Sequence, residues 1–303
     1  MNYSMLYNVG VQELLDAQIT EAALDARLLL EYICGTDRNT LLVHPDMPVA
    51  IEKENEYRDL ISKRVKHVPL QYLTGYQEFM GIEFDVNENV LIPRQDTEFL
   101  VEEVLKYTQD GMRVLDICTG SGCILLSIMH YKNNIEGVGI DLSEDALMVA
   151  KRNAIKHNVE AALIKSDVFD VFKDLLPQTN GSNILVNDYS GKEMFIPSKY
   201  DVIVSNPPYI ENNIIDTLMP EVRDYEPRMA LDGGADGLDF YKRISDEARK
   251  YLSNYGMLFF EIGYNQADEV TYILESLGYR DITSLNDYAG NPRVVFAKYV
   301  CDL

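Results

Sequence analysis

Five short apolar runs, at residues 113–116, 137–141, 161–165, 200–205 and 256–262, recur through the latter part of the chain with helix-like stretches between them. Strand and helix periods that alternate in this way leave few architectures: a parallel sheet whose strands are joined by helices packed on its faces. Two further runs, 281–285 and 293–298, flank Asn286-Asp287-Tyr288-Ala289-Gly290-Asn291-Pro292, whose turn chemistry suits an antiparallel pair. The expected fold class is α/β. The alternation is interrupted once, before the fourth run, by a polar, glycine-bearing stretch at 178–198 that reads as an insertion of no assigned role.

The first part of the chain has a different period. Leu14, Leu15, Ile19, Leu24, Leu28, Leu29 and Ile33 recur at helical spacing and stop at Gly35. The charged stretch 52–66 carries Leu60, Ile61 and Val65 as an apolar stripe and ends before Pro69. These segments predict a small helical bundle. The period then shortens, with Phe79, Ile82, Phe84 and Val86 alternating against polar neighbours and Val90-Leu91-Ile92 following Asn87-Glu88-Asn89, which predicts a β-hairpin. A helix capped by Asp96 or Thr97 comes next. The expected division is a helical domain over 1–75, a hairpin linker over 76–93 and an α/β catalytic domain over 94–303.

Charge narrows the partners. Lys and Arg number 27 against 49 Asp and Glu, a formal net charge of −22, which opposes a phosphate backbone and suits a basic protein partner. No direct nucleic-acid binding is expected. Cys34, Cys118, Cys123 and Cys301 lack Cys-x-x-Cys spacing, and the histidines at 44, 67, 130 and 157 are scattered, so no metal site is expected. No run approaches the ~20 apolar residues that span a bilayer, nor is there a leader pattern. The expectation is a soluble cytoplasmic protein that does not engage membranes.

Two loops carry the chemistry. In Val114-Leu115-Asp116-Ile117-Cys118-Thr119-Gly120-Ser121-Gly122 an apolar strand enters a glycine turn and then a helix through Ile124, Leu125 and Ile128. Such a turn lets a ligand approach the backbone, and the helix-starting amides offer donors. The next strand ends in Asp141, whose carboxylate suits the ribose hydroxyls of a bound adenosine or, alternatively, caps the following helix. A dinucleotide fingerprint needs a third glycine where Leu125 stands. The loop therefore resembles motif I of the Rossmann-like methyltransferases, although Cys118 occupies a position where many of them carry glycine. Asp167, after the third strand, suits the adenine amino group or an N-cap equally well.

The fourth strand runs into Asn206-Pro207-Pro208-Tyr209. Ligands of open α/β sheets lie beyond the carboxyl ends of the strands, so this exit is a candidate catalytic loop. Two prolines make it rigid, and Asn206 adds a side-chain acceptor. An amide nitrogen is a poor nucleophile but carries two N–H donors. If the Asn206 side chain and the Pro207 carbonyl accept both, the lone pair is oriented toward a methyl donor, and Tyr209 offers a flat wall. No prior general base is needed, because the proton can leave after methylation. A nucleic-acid exocyclic amino group, such as adenine N6, poses the same problem and is the rival substrate.

These loops, together with Pro69-Leu70-Gln71-Tyr72-Leu73-Thr74-Gly75, Ile92-Pro93-Arg94-Gln95-Asp96-Thr97-Glu98, Glu221-Val222-Arg223-Asp224-Tyr225-Glu226-Pro227 and Asn291-Pro292-Arg293, closely resemble the HemK/PrmC family. Members of that family methylate the glutamine of the Gly-Gly-Gln motif in class I peptide chain release factors, in support of translation termination. The resemblance covers nearly the whole chain. It implies a class I methyltransferase domain with a mostly parallel seven-stranded sheet, and an N-terminal helical domain that helps recognise the release factor. It further implies S-adenosyl-L-methionine held by Cys118, Thr119, Gly120, Ser121, Gly122, Asp141, Asp167, Val168, Phe169 and Asn206, with S-adenosyl-L-homocysteine as product. The substrate glutamine is expected at Asn206, Pro207, Pro208 and Tyr209. Some relatives carry Trp at the position of Val168, so adenine stacking there is replaced by a smaller aliphatic contact or falls to Phe169.

Overall fold

The computed structural model describes residues 1–173 and 183–301. Five helices come first: α1 (Tyr3–Asp16), α2 (Ala22–Cys34), α3 (Arg38–Val43), α4 (Ile51–Arg64) and α5 (Leu70–Thr74). A hairpin follows, β1 (Tyr76–Phe79) and β2 (Ile82–Asp85), and then α6 (Gln95–Tyr107). The alternating part contains β3 (Arg113–Ile117), α7 (Cys123–Tyr131), β4 (Glu136–Asp141), α8 (Glu144–Lys156) and β5 (Ala162–Lys165). After it come β6 (Asn183–Asn187), β7 (Glu193–Pro197), β8 (Tyr200–Ser205) and α9 (Pro220–Tyr225). The last elements are α10 (Asp239–Ala248), β9 (Leu252–Glu261), α11 (Ala267–Ser276), β10 (Arg280–Asn286) and β11 (Pro292–Lys298). Among the described residues no helix is long and apolar enough to cross a membrane.

The chain divides into two compact units, Met1–Tyr76 with Met219–Tyr225, and Gln77–Leu218 with Glu226–Leu303. In the helical unit, Leu6, Leu14, Leu29, Leu30, Tyr57 and Ile61 form the core. The expected stripe of Leu60, Ile61 and Val65 packs on this core, with Ile61 fully buried, and Glu54, Tyr57 and Arg64 join it on the buried face of α4. Leu15 and Leu24 are exposed. The phase of α1 explains the first, since it turns Leu6, Gly10 and Leu14 inward and sets Leu15 about 100° round the helix. Arg64 is buried between two carboxylates, donating to Asp25 Oδ2 at 2.7 Å and to Glu221 Oε1 at 2.8 Å.

In the larger unit a seven-stranded sheet has the order β10-β11-β9-β8-β3-β4-β5. Only β11 runs against its neighbours. Alternate residues face opposite sides. Leu115, Ile117, Ile203 and Phe260 pack with Tyr241 and Ile244 of α10 and Val270 of α11. Val114, Val202, Val204 and Phe259 pack with Leu100 and Val104 of α6 and Ile124 of α7. The strands that follow β3 in sequence go first to one side and then, from β8 onward, to the other. The loops after β3 and β8 thus diverge at the point where such sheets bind ligands.

Three local expectations are corrected. The hairpin turns at Met80-Gly81, whose φ values of 52° and 71° are those of a two-residue type I′ turn, and not at residues 87–89. Residues 90–92 lie outside the strands; Val90 and Ile92 instead enter the core. Asp96 and Thr97 lie inside the first turn of α6, whose N-cap is Arg94. The insertion is not simply polar: β6 and β7 pair as a hairpin whose Ile184, Val186 and Ile196 are buried against the main sheet's core. Its residues 178–182 lie outside the described residues.

Candidate active site

The register pairs Ile117 of β3 with Ser205 of β8, so the two candidate loops leave the sheet side by side. The first loop is tied by bonds from its own neighbourhood. Thr119 N–H donates to Ile140 O at 2.9 Å, and its hydroxyl donates to Asp116 Oδ2 at 2.6 Å. Gly120 N–H donates to Asp141 Oδ2 at 2.8 Å, while Ser143 N–H occupies Oδ1 at 2.9 Å. Ser143, not Asp141, is the N-cap of α8, accepting from Ala146 N–H. Burial pushes the Asp116 carboxyl up to about 7 and raises that of Asp141. Cys118 has φ 61°, a conformation glycine adopts freely and an L-residue holds at a cost of about 1 kcal/mol. The position therefore demands what glycine does best, and here cysteine supplies it.

A cavity of about 290 Å³ opens above these strand ends. Cys118, Thr119, Gly120, Ser121, Asp141, Asp167, Val168 and Asn206 line it, as does Pro208. Its outer wall comes from Asn89, Leu91, Arg94, Thr97, Met229 and Ala230. Four expected site residues are not part of the lining. Gly122 packs toward Leu126 and Ala150, so it serves helix packing. Phe169 is fully buried and stacks on Tyr251 with ring centroids 4.9 Å apart, which leaves Val168 as the aliphatic wall. Pro207 is buried, and the Tyr209 ring is directed to Glu261, its hydroxyl 3.4 Å from Oε1.

Asp167 is not a helix cap but half of an ion pair that lines the cavity. Its Oδ1 receives Arg243 Nη1 at 2.5 Å, and the capping bond to Val171 N–H comes from Ser166 Oγ at 2.9 Å. Val168 beside it has φ 50°, rare for a β-branched residue.

The second loop is held from afar. Asn206 Nδ2 donates to Thr97 Oγ1 at 3.3 Å, and Gln266 Nε2 donates to Tyr209 O at 3.0 Å. Gly233 N–H reaches Ile210 O at 2.8 Å, and a Cβ at Gly233 would stand 2.7 Å from Tyr209 Cα. Only glycine fits there. Nearby, Arg94 Nη2 donates to both oxygens of the buried Glu226, at 2.7 and 2.6 Å, and Arg293 pairs with Asp96 at 3.0 Å.

Residues 6–75 match the PrmC N-terminal domain family, and residues 108–231 match a methyltransferase domain family. The release factor glutamine methyltransferase of Clostridium acetobutylicum is 40% identical over 90% of this chain and 90% of its own length. That of Geobacter sulfurreducens is 39% identical over 91% of this chain and 89% of its own. A solved protein-(glutamine-N5) methyltransferase from Alicyclobacillus acidocaldarius is 26% identical, covering 72% of this chain and 100% of that one, with a TM-score of 0.39.

The chain belongs to the release factor glutamine methyltransferase family.

The cofactor of this methyltransferase is S-adenosyl-L-methionine, and the cavity fits it. A Cβ built on Gly120 meets no atom within 4 Å, so that glycine faces the cavity and leaves room beside the backbone. Asp141 spends each oxygen on one amide, and a carboxylate oxygen can accept a second donor such as a ribose hydroxyl. The structure also brings to the site residues that sequence reading did not single out: Glu261, Gln266 and Gly233 beside Tyr209, and Arg243 beside Asp167. Two had a visible signal. Glu261 is a lone acid in the apolar run Leu258-Phe259-Phe260-Glu261-Ile262, and Gly233 belongs to a Gly-Gly pair after Leu231-Asp232.

Proposed function

We propose that the protein methylates the side-chain amide nitrogen of the glutamine in the Gly-Gly-Gln loop of class I release factors, in the cytoplasm. The observation that carries this is the Asn206 side chain at the cavity, its Nδ2 engaged by Thr97 and its Oδ1 left to accept. Asn206 Oδ1 accepts one N–H of the substrate amide and the Pro207 carbonyl the other, which aims the nitrogen lone pair at the methyl donor. When bound, S-adenosyl-L-methionine would supply a sulfonium methyl group, becoming a neutral thioether, and the methylated nitrogen would then release one proton. Asp141, Val168 and the backbone of Cys118 to Ser121 would hold the cofactor; Asp167 faces the same space from its pair with Arg243. Pro208 stiffens the turn, and Tyr209 is a buttress of the loop. The names of the relatives support the substrate class, and a net charge of −22 suits a protein substrate better than a nucleic acid.

Labelled S-adenosyl-L-methionine should transfer its methyl group to a release factor and not to the same factor with its Gly-Gly-Gln glutamine changed to alanine. Labelling of RNA or DNA in place of the factor would overturn this reading.

A further inference from the structure

Val168 leaves the cavity short of flat surface where the base of the cofactor is expected. Adenine offers two π faces, and an aromatic side chain matches such a face over far more area than an isopropyl group does. Phe169, the aromatic next in sequence, is turned into the core against Tyr251. Among the described residues that line the cavity, the one aromatic is Phe240 of α10.

The fold brings Phe240 to the Val168 end. Tyr241, Ile244, Ser245 and Ala248 form the buried stripe of α10. Phe240, Arg243 and Glu247 follow its flank at i, i+3 and i+7, so they share one side of the helix. Arg243, one turn beyond Phe240, grips the segment after β5. Its Nη1 donates to Asp167 Oδ1 at 2.5 Å, and its Nη2 donates to Asp167 O at 2.8 Å and to Asp170 Oδ1 at 2.9 Å. Residues three apart on a helix have Cβ atoms about 5–6 Å from one another, so the Asp167–Val168 segment and Phe240 are neighbours. Phe240 also packs on the core cluster that contains Val168, and it is only partly buried, as a ring between core and cavity should be.

The same end of the cavity adjoins Asp141, because Ser166 N–H donates to Asp141 O at 3.0 Å. With the ribose hydroxyls at Asp141, the base attached to that ribose falls toward Asp167 and Val168.

We propose that Phe240 is an adenine-binding residue whose ring meets a face of the base, and that Arg243 positions Asp167 and Val168 beside it. The inference rests on the reading that Asp141 receives the ribose of the cofactor.

The chain contains no tryptophan, so Phe240→Trp places a single fluorescent reporter at the position. In the full-length enzyme its emission should be quenched on titration with S-adenosyl-L-homocysteine and with adenosine, while methionine leaves it unchanged. Calorimetric titration with S-adenosyl-L-homocysteine should find Phe240→Trp within about threefold of wild type and Phe240→Ala weaker on the order of 10-fold. Emission indifferent to saturating S-adenosyl-L-homocysteine overturns the assignment, and so does wild-type affinity in Phe240→Ala. A Phe240→Ala variant that raises KM for the release factor and keeps its cofactor affinity also overturns it, by moving the ring to the substrate side. Asp141→Ala separates the two claims. If it weakens S-adenosyl-L-homocysteine binding and Phe240→Ala does not, only the aromatic assignment fails; if neither does, the reading beneath it fails.

Discussion

The two loops that meet at the cavity are built in opposite ways. The loop after β3 makes itself: Thr119 bonds to Asp116, Gly120 to Asp141, and its conformation comes from positive φ at residues 118, 120 and 122. The loop after β8 is rigid at its prolines but is placed by residues far away in sequence, Thr97, Gly233 and Gln266. Cofactor binding should therefore be sensitive to changes within the β3–β4 stretch, whereas methyl transfer should also be sensitive to substitutions in segments as remote as Thr97 and Gln266, 109 and 57 residues from their loop partners.

The largest departure expected from that contrast is at Gly233. Alanine there puts a Cβ about 2.7 Å from Tyr209 Cα, which backbone must relieve by moving. A shift of about 1 Å in the loop should cost on the order of 100-fold in kcat, with cofactor affinity nearly unchanged; calorimetric titration beside steady-state kinetics checks both. Asp141→Ala should do the reverse. Losing a charged acceptor weakens cofactor binding by about 10- to 100-fold, and kcat at saturating cofactor should fall much less. An equal fall in both quantities for either variant would erase the distinction between the loops. Phe169→Leu gives the smallest change at the site. Its ring stacks on Tyr251 outside the cavity, so thermal melting should register about 1–3 kcal/mol of lost stability while cofactor affinity stays within about twofold.

The same contrast governs what could be read from the chain. The first loop was legible because its partners lie within the next strand of the same βα alternation, and the sheet was legible because strands covered on both faces are continuous apolar runs. The second loop could be found but not its supports. Nothing near Thr97 says that its hydroxyl meets Asn206, and the residue looks like a helix cap until the fold brings α6 to β8. Asp167 looked equally like a cap or a ligand because Arg243, which takes its carboxylate, lies 76 residues on. The hairpin turn was misplaced for a different reason: Met80-Gly81 is a weaker turn signal than the Asn-rich stretch at 87–89, and only the positive φ at both positions reveals it. In the helical segments, phase was the difficulty, since an exposed leucine such as Leu15 looks like a buried one at nearly the same spacing.

The helical unit closes over residues 219–225, borrowed from the middle of the other unit's sequence. A piece cut at residue 76 would keep Arg64 and Asp25 but forfeit Glu221, half of the anionic surroundings of a buried guanidinium. The amino-terminal portion is thus not a portable cassette. Transplanting the helical unit onto another catalytic sheet would require moving two separate stretches of gene together, and a chimera that moves only the first should yield an incompletely folded graft.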